Sequence, residues 1–141
     1  MNAFGPLANK PLFMCFTAPY GYDAGDDAKT SSVTPAWRTA LWHVIALDEW
    51  DPNEDQATIE AEFKKTHDII QPLIKLTPGS GAYQNEADTF ETDPIGAYWG
   101  QDNYNKLLSI KQKYDPSNVL TCWHCVGWNS ADSRYSCYPD A

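Results

Sequence analysis

Apolar positions along the chain fall into short continuous runs and two longer periodic stretches. Leu12 to Thr17 is a short apolar run and predicts a buried strand. Leu41 to Leu47 is nearly continuous in apolar character and predicts a second strand covered on both faces. Between them, Ala18 to Thr34 is rich in Gly, Asp, Ser and Thr without periodicity, which reads as a surface loop. Ile59, Phe63, Thr66, Ile70 and Leu73 then recur at three- and four-residue steps, the spacing of one helix face. Asp51 as N-cap, Pro52 in the first position and Glu54 as capping-box partner predict where that helix starts. Acidic residues lead and lysines trail, as the helix dipole favours. Pro72 predicts a kink or an end near Ile69.

After the turn Pro78-Gly79-Ser80-Gly81, the stretch Ala82 to Glu86 predicts a third, short strand, followed by an acidic loop through Asp93-Pro94. A second helix is expected from near Asp102, turning Tyr104, Leu107, Leu108, Ile110 and Tyr114 inward and leaving Lys111 and Lys113 on a solvated face. Pro116 forces Asp115 out of helical geometry and stops it. The pattern is α+β: a partial domain with a few antiparallel strands packed on two main helices.

Composition narrows the function. A chain of 141 residues has room for one core. Its 43% apolar content excludes disorder as a whole. A net charge of −9 excludes nucleic acid as a partner, because phosphate binding needs a basic stripe, and it disfavours anionic membrane surfaces too. No apolar run reaches membrane-spanning length. The first residues carry neither a basic n-region nor an apolar h-region, so no signal peptide is read there. Six tryptophans and eight tyrosines suit a core, and equally a site for sugars or aromatic compounds.

Three short motifs follow one another in the second half: Tyr83-x-Asn85, Trp99-Gly100-x-x-Asn103, and Lys111-x-x-x-Asp115-Pro116-x-Asn118. In this order they resemble the carboxy-terminal end of the berberine-bridge-enzyme-like flavin oxidases, whose flavin domain is of the p-cresol-methylhydroxylase type. The resemblance implies residues 1–78 as the end of a substrate-binding region and residues 79–141 as a berberine-like segment returning to the flavin domain. It implies FAD as cofactor, a small-molecule hydroxyl substrate (an alcohol or sugar), and an upstream flavin-binding portion as partner. It further implies that this chain is inert in isolation. Neither the R-S-G-G-H-like loop that attaches flavin in relatives nor a G-x-G-x-x-G occurs in this sequence. Relatives are often secreted, but the sequence leaves the compartment open.

The resemblance also assigns roles. Strand periodicity would put Tyr83 and Asn85 on one face, and in relatives that face looks toward the flavin ring. Tyr83 would take the proton of the substrate hydroxyl while hydride leaves the carbinol carbon for the flavin. Asn85 would position flavin or substrate. A free phenol ionises near ~10, so base work at neutral pH needs a positive group or hydrogen-bond donor beside it. The bland alternatives are a half-buried tyrosine with a satisfied hydroxyl and an asparagine holding a turn.

His43 in its apolar strand reads as a core histidine before a catalytic one. Arg38 reads as a surface ion pair, or as a guide for an acidic substrate. Cys122-Trp123-His124-Cys125 allows a rival class of function: a stand-alone binding or thiol-redox module using Cys122 and Cys125, activated at a helix N-terminus. A zinc site would need His124 and Cys137 as well, and adjacent His124 and Cys125 make awkward joint ligands. A structural disulfide among Cys122, Cys125 and Cys137, or plain buried thiols, is the simpler expectation, and no metal site is assigned. An apolar surface along Leu41–Leu47 and the Leu107 and Ile110 helix face is expected to remain open.

Overall fold

The computed structural model describes residues 4–16, 23, 25–26 and 30–138. Most of the expected surface loop Ala18–Thr34 lies outside them. Two strands, β1 (Leu12–Phe16) and β2 (Trp42–Ala46), pair antiparallel with Leu12 opposite Ala46 and Phe16 opposite Trp42. Three helices follow: α1 (Gln56–Leu76), α2 (Pro94–Tyr98) and α3 (Gln101–Tyr114). Single 3-10 turns occupy Pro35–Arg38, Gln84–Glu86 and Ser133–Tyr135. The architecture is the expected partial α+β arrangement, with a two-stranded antiparallel sheet.

Three helix boundaries differ from the sequence reading. α1 starts four residues later than Asp51 and Pro52 suggest. Asp51 heads a turn instead: its carbonyl accepts the Glu54 amide at 3.0 Å, and its side chain accepts the Asn53 amide at 2.8 Å. Proline suits the second position of such a turn as well as the first of a helix, and the turn wins here. The cap is Asp55, whose carboxylate accepts the Thr58 amide at 2.8 Å. Pro72 does not end α1 either. The helix runs through it to Leu76, giving up one internal bond while Ile70 and Leu73 stay packed. α2 stands where a loop was expected; Asp93 caps it through the Gly96 amide and Pro94 occupies its first position.

The third strand is absent: Ala82–Glu86 is a short extended entry followed by a 3-10 turn. A run of five alternating residues satisfies either form, and the close approach of this segment to α2 decides it. Ala82 donates its amide to the Ala97 carbonyl at 2.9 Å. A Cβ on Gly81 would sit 2.7 Å from that carbonyl and 2.8 Å from Thr34 Oγ1, so only glycine allows the approach.

Packing is uneven. α1 meets the segments that flank the two strands, with Trp50 against Phe63 at 5.0 Å and a Lys10–Asp48 ion pair that Lys65 joins at 3.6 Å. Yet β2 is not covered on both faces; Leu41, Trp42 and Leu47 are exposed, as are Phe13 and Met14 on β1. Buried apolar side chains among the described residues are Leu7, Tyr98 and Tyr135. On α3, Tyr104, Leu107 and Leu108 are half-buried, whereas Ile110 and Tyr114 face solvent.

Lys111 is the opposite case, drawn in rather than solvated. Its ammonium donates to Asp115 Oδ2 at 2.6 Å and to the Leu120 carbonyl. Asp115 also accepts the Val119 and Leu120 amides at 2.8 and 2.9 Å. These bonds hold the Asp115 carboxyl below the ordinary carboxylate range, with the Lys111 bond the largest cause. Lys111-x-x-x-Asp115-Pro116-x-Asn118 is therefore a chain-reversal device: the lysine side chain and the aspartate turn α3 back toward residues 120–138. No helix among the described residues is long and apolar enough to cross a membrane.

Candidate functional site

Tyr83 precedes the 3-10 turn in extended geometry, and its ring stands partly in solvent. The turn folds Asn85 back over it, so that Asn85 Nδ2 donates to the Tyr83 phenolic oxygen at 2.8 Å. Strand alternation and the observed turn thus agree on one point, that these two side chains meet, although for different geometric reasons. An amide donor at a phenolic oxygen stabilises negative charge that develops there when the proton leaves.

β2 supplies the next group. The His43 ring meets Tyr83 edge to face, with centroids 6.5 Å apart, and His43 Nε2 lies 3.6 Å from Glu86 Oε2. Trp37, from the first 3-10 turn, packs edge-on against His43 at 5.3 Å. His43 is therefore not a core histidine; it joins the strand to the Tyr83 turn. Glu86, which a strand would have sent to the far face, is brought to His43 by the turn. No local sequence signal links positions so far apart, so this pair was not legible. Arg38 closes the same 3-10 turn as Trp37.

Trp37, Trp42, His43, Ile70, Leu73 and Tyr83 line an open cleft of about 540 Å³. Its walls are mainly aromatic and aliphatic, with hydroxyl groups from Thr34, Thr77, Ser80 and Tyr83 among them. These lining residues include no lysine or arginine that could cradle a pyrophosphate.

A second cluster lies beside the first. Cys122 and Cys125 are joined by a disulfide, with Cα atoms 5.2 Å apart, while Cys15 and Cys137 are free and exposed. The chain continues through a turn at Gly127 (φ +78°), where a thioredoxin-type pair would have a helix. Among the described residues no group of three His, Cys, Asp or Glu is set to hold a metal. Trp123 stacks on Tyr138 with centroids 4.4 Å apart and on His124 at 4.6 Å, and Trp128 meets His124 edge-on at 4.7 Å. His124 is 5% exposed, and burial pushes its imidazole below the ordinary histidine range, against the pull of the Asp88 charge. Tyr98, packed against His124, is pushed upward by burial and then by Glu91 and Asp88. Gln84, inside the Tyr83 turn, donates to Cys125 Sγ at 3.1 Å. Asp88, just after the turn, pairs with His67 of α1.

Residues 82–125 match the family described as Berberine and berberine like. The FAD-linked oxidoreductase cheF of Chaetomium globosum is 32% identical over 133 residues, which are 92% of this chain and 21% of that protein. The FAD-linked oxidoreductase ffsJ of Aspergillus flavipes is 40% identical over 109 residues, 77% of this chain and 17% of that protein. Among solved structures, the VAO-type flavoprotein MtVAO713 from Myceliophthora thermophila C1 superposes with a TM-score of 0.60 and 35% identity, covering 72% of this chain and 18% of that one. The chain therefore spans about a fifth of the length of the curated relatives it matches. It carries a berberine-like segment and resembles a carboxy-terminal part of FAD-linked, VAO-type flavoproteins.

Proposed function

We propose that this berberine-like chain is the part of an FAD-linked oxidoreductase that removes the proton from a hydroxyl substrate, with Tyr83 as the base. The observation that carries the reading is the Asn85-to-Tyr83 hydrogen bond at the mouth of an apolar cleft. FAD, when bound, supplies a two-electron acceptor. Tyr83 presents its oxygen to the substrate hydroxyl and takes up the proton. Asn85 holds that oxygen in place and steadies its charge, and its carbonyl end remains for a polar ring edge. His43 sits beside the phenol with Glu86 behind it, so positive charge on the imidazole would be compensated within the cluster. Trp37 and Leu73 line the apolar part of the cleft.

In this reading residues 1–78 form the substrate-side wall and residues 79–141 face the flavin. The open apolar face of Leu41, Trp42 and Leu47 suits cover by the flavin-binding portion found in longer relatives. The chain alone should then retain no flavin: mixed with FAD and desalted, it should be colourless. In a full-length oxidoreductase carrying this segment, Tyr83→Phe should slow flavin reduction ~10²–10⁴-fold while substrate affinity changes little. Stopped-flow flavin bleaching reads both quantities. A Phe variant that reduces its flavin at the parent rate would remove Tyr83 from the mechanism.

A further inference from the structure

Besides the His43 contacts of Tyr83 and Glu86 and the His67 pair of Asp88, the stretch that carries Tyr83 and Asn85 is held by three hydrogen bonds to the carboxy-terminal elements. Ala82 hangs on the Ala97 carbonyl of α2 at 2.9 Å. The other two reach the Cys122–Cys125 turn: Gln84 Nε2 donates to Cys125 Sγ at 3.1 Å, and Trp123 Nε1 donates to the Thr89 carbonyl at 3.3 Å. The disulfide-closed turn is itself tied down, since Gly127 donates its amide to the Tyr104 hydroxyl of α3 at 3.2 Å. One side of the site turn thus rests on a disulfide, and Cys122, the outer partner, is exposed.

We propose that the Cys122–Cys125 disulfide is a redox-sensitive clasp that positions Tyr83 and Asn85, with Gln84 as the positioning residue between them. The chemistry is an exchange with a small dithiol. One thiolate of the dithiol attacks the exposed Cys122 sulfur, and Cys125 leaves as a thiolate that the Gln84 amide stabilises. The second thiol then closes the dithiol into its own disulfide and releases Cys122. The protein gains two electrons and two protons as two thiols, and the dithiol loses the same. Once the bond is gone, the sulfurs separate from about 2 Å to van der Waals contact at roughly 3.5 Å or more. In the clasp, the turn relaxes to make that room, Cys125 and Trp123 shift with it, and the Gln84 and Thr89 anchors slacken together.

Amide hydrogen exchange of the 141-residue chain, oxidised and then reduced with dithiothreitol, tests the clasp. The amides of residues 84–89 and the Asn85 side-chain amide should exchange at least tenfold faster after reduction. Residues 101–114 of α3 should be unchanged, and reoxidation should restore protection. Oxidised Gln84→Leu should loosen the same segment while its disulfide stays intact. Exchange at 84–89 that ignores both reduction and Gln84→Leu would overturn the proposal. The consequence for proton removal rests on the Tyr83 reading, whereas the exchange result does not. A segment that loosens on reduction, in a protein whose Tyr83→Phe form keeps its rate, retains the clasp and loses the base.

Discussion

Along β1 and β2 the large apolar side chains Phe13, Met14, Leu41, Trp42 and Leu47 stand in solvent, whereas between residues 82 and 138 the rings of Tyr98, Trp123, His124, Trp128 and Tyr135 lie against one another. The hairpin has five residue pairs, and an isolated pair of strands is marginal in water. Among the described residues, the carboxy-terminal region has no strand. It is held by the Asp93 and Asp132 caps, an internally paired lysine, stacked rings and a disulfide. The contrast separates two kinds of order. One region closes on itself through short-range polar bonds and aromatic contacts. The other presents an open apolar face. The Tyr83 turn sits at the seam, anchored by the first kind and lining a cleft built partly from the second.

The sharpest way to break this contrast is a pair of tryptophan truncations. Trp123→Ala removes the stack on Tyr138 and the bond to Thr89, and should cost about 3 kcal/mol, the low end for a large aromatic because the ring is only half-buried. Trp42→Ala, on the open strand, should fall within about 0.5–1 kcal/mol. Urea unfolding of the two variants measures both. Equal losses would mean that the hairpin is as well packed as the carboxy-terminal cluster.

Gly81→Ala probes the seam and should cost about 1–3 kcal/mol. The added Cβ meets a backbone carbonyl and the side chain of buried Thr34, neither of which can swing away. In a full-length enzyme the same change should displace Tyr83 and slow flavin reduction. A variant of parent stability would show that Ala82 and Ala97 can separate at no cost, and that the turn has slack.

The two regions also differed in how far the sequence disclosed them. β1, β2 and the face of α1 follow from apolar spacing, and the end of α3 from Pro116, because those signals are local. The α2 start was written in Asp93-Pro94, a cap followed by a first-position proline, but five residues are too few to show a period. Asp51-Pro52 carried the same signal and formed a turn, since a better-placed aspartate, Asp55, lay four residues on. For the site, the sequence put Tyr83 and Asn85 on one face of a strand that does not form, and a 3-10 turn brings the two together instead. His43 against Tyr83, Gln84 against Cys125 and Trp123 against Thr89 were not readable. These contacts depend on how α2 and α3 fold the chain back, and no pattern of neighbours records that.

The smallest predicted effect concerns pH and the buried ring of the carboxy-terminal cluster. Burial holds the His124 imidazole below the ordinary value of 6.5, with Asp88 opposing. As pH falls through that ordinary value, the unfolded chain takes up the proton first, so unfolding gains and stability drops. The loss continues until the folded imidazole is itself protonated; above the ordinary value the contribution is fully present. Other histidines titrate in the same range, so the useful quantity is a difference between two proteins. His124→Asn is the matched variant, because His124 sits at φ +54° and asparagine tolerates that region. Between pH 8 and pH 5 the parent should lose more stability in urea than His124→Asn, whose slope keeps only the remaining groups. Superimposable slopes would mean that the imidazole takes up its proton as readily in the folded chain as in the unfolded one, and that the carboxy-terminal cluster admits water more freely than its stacked rings suggest.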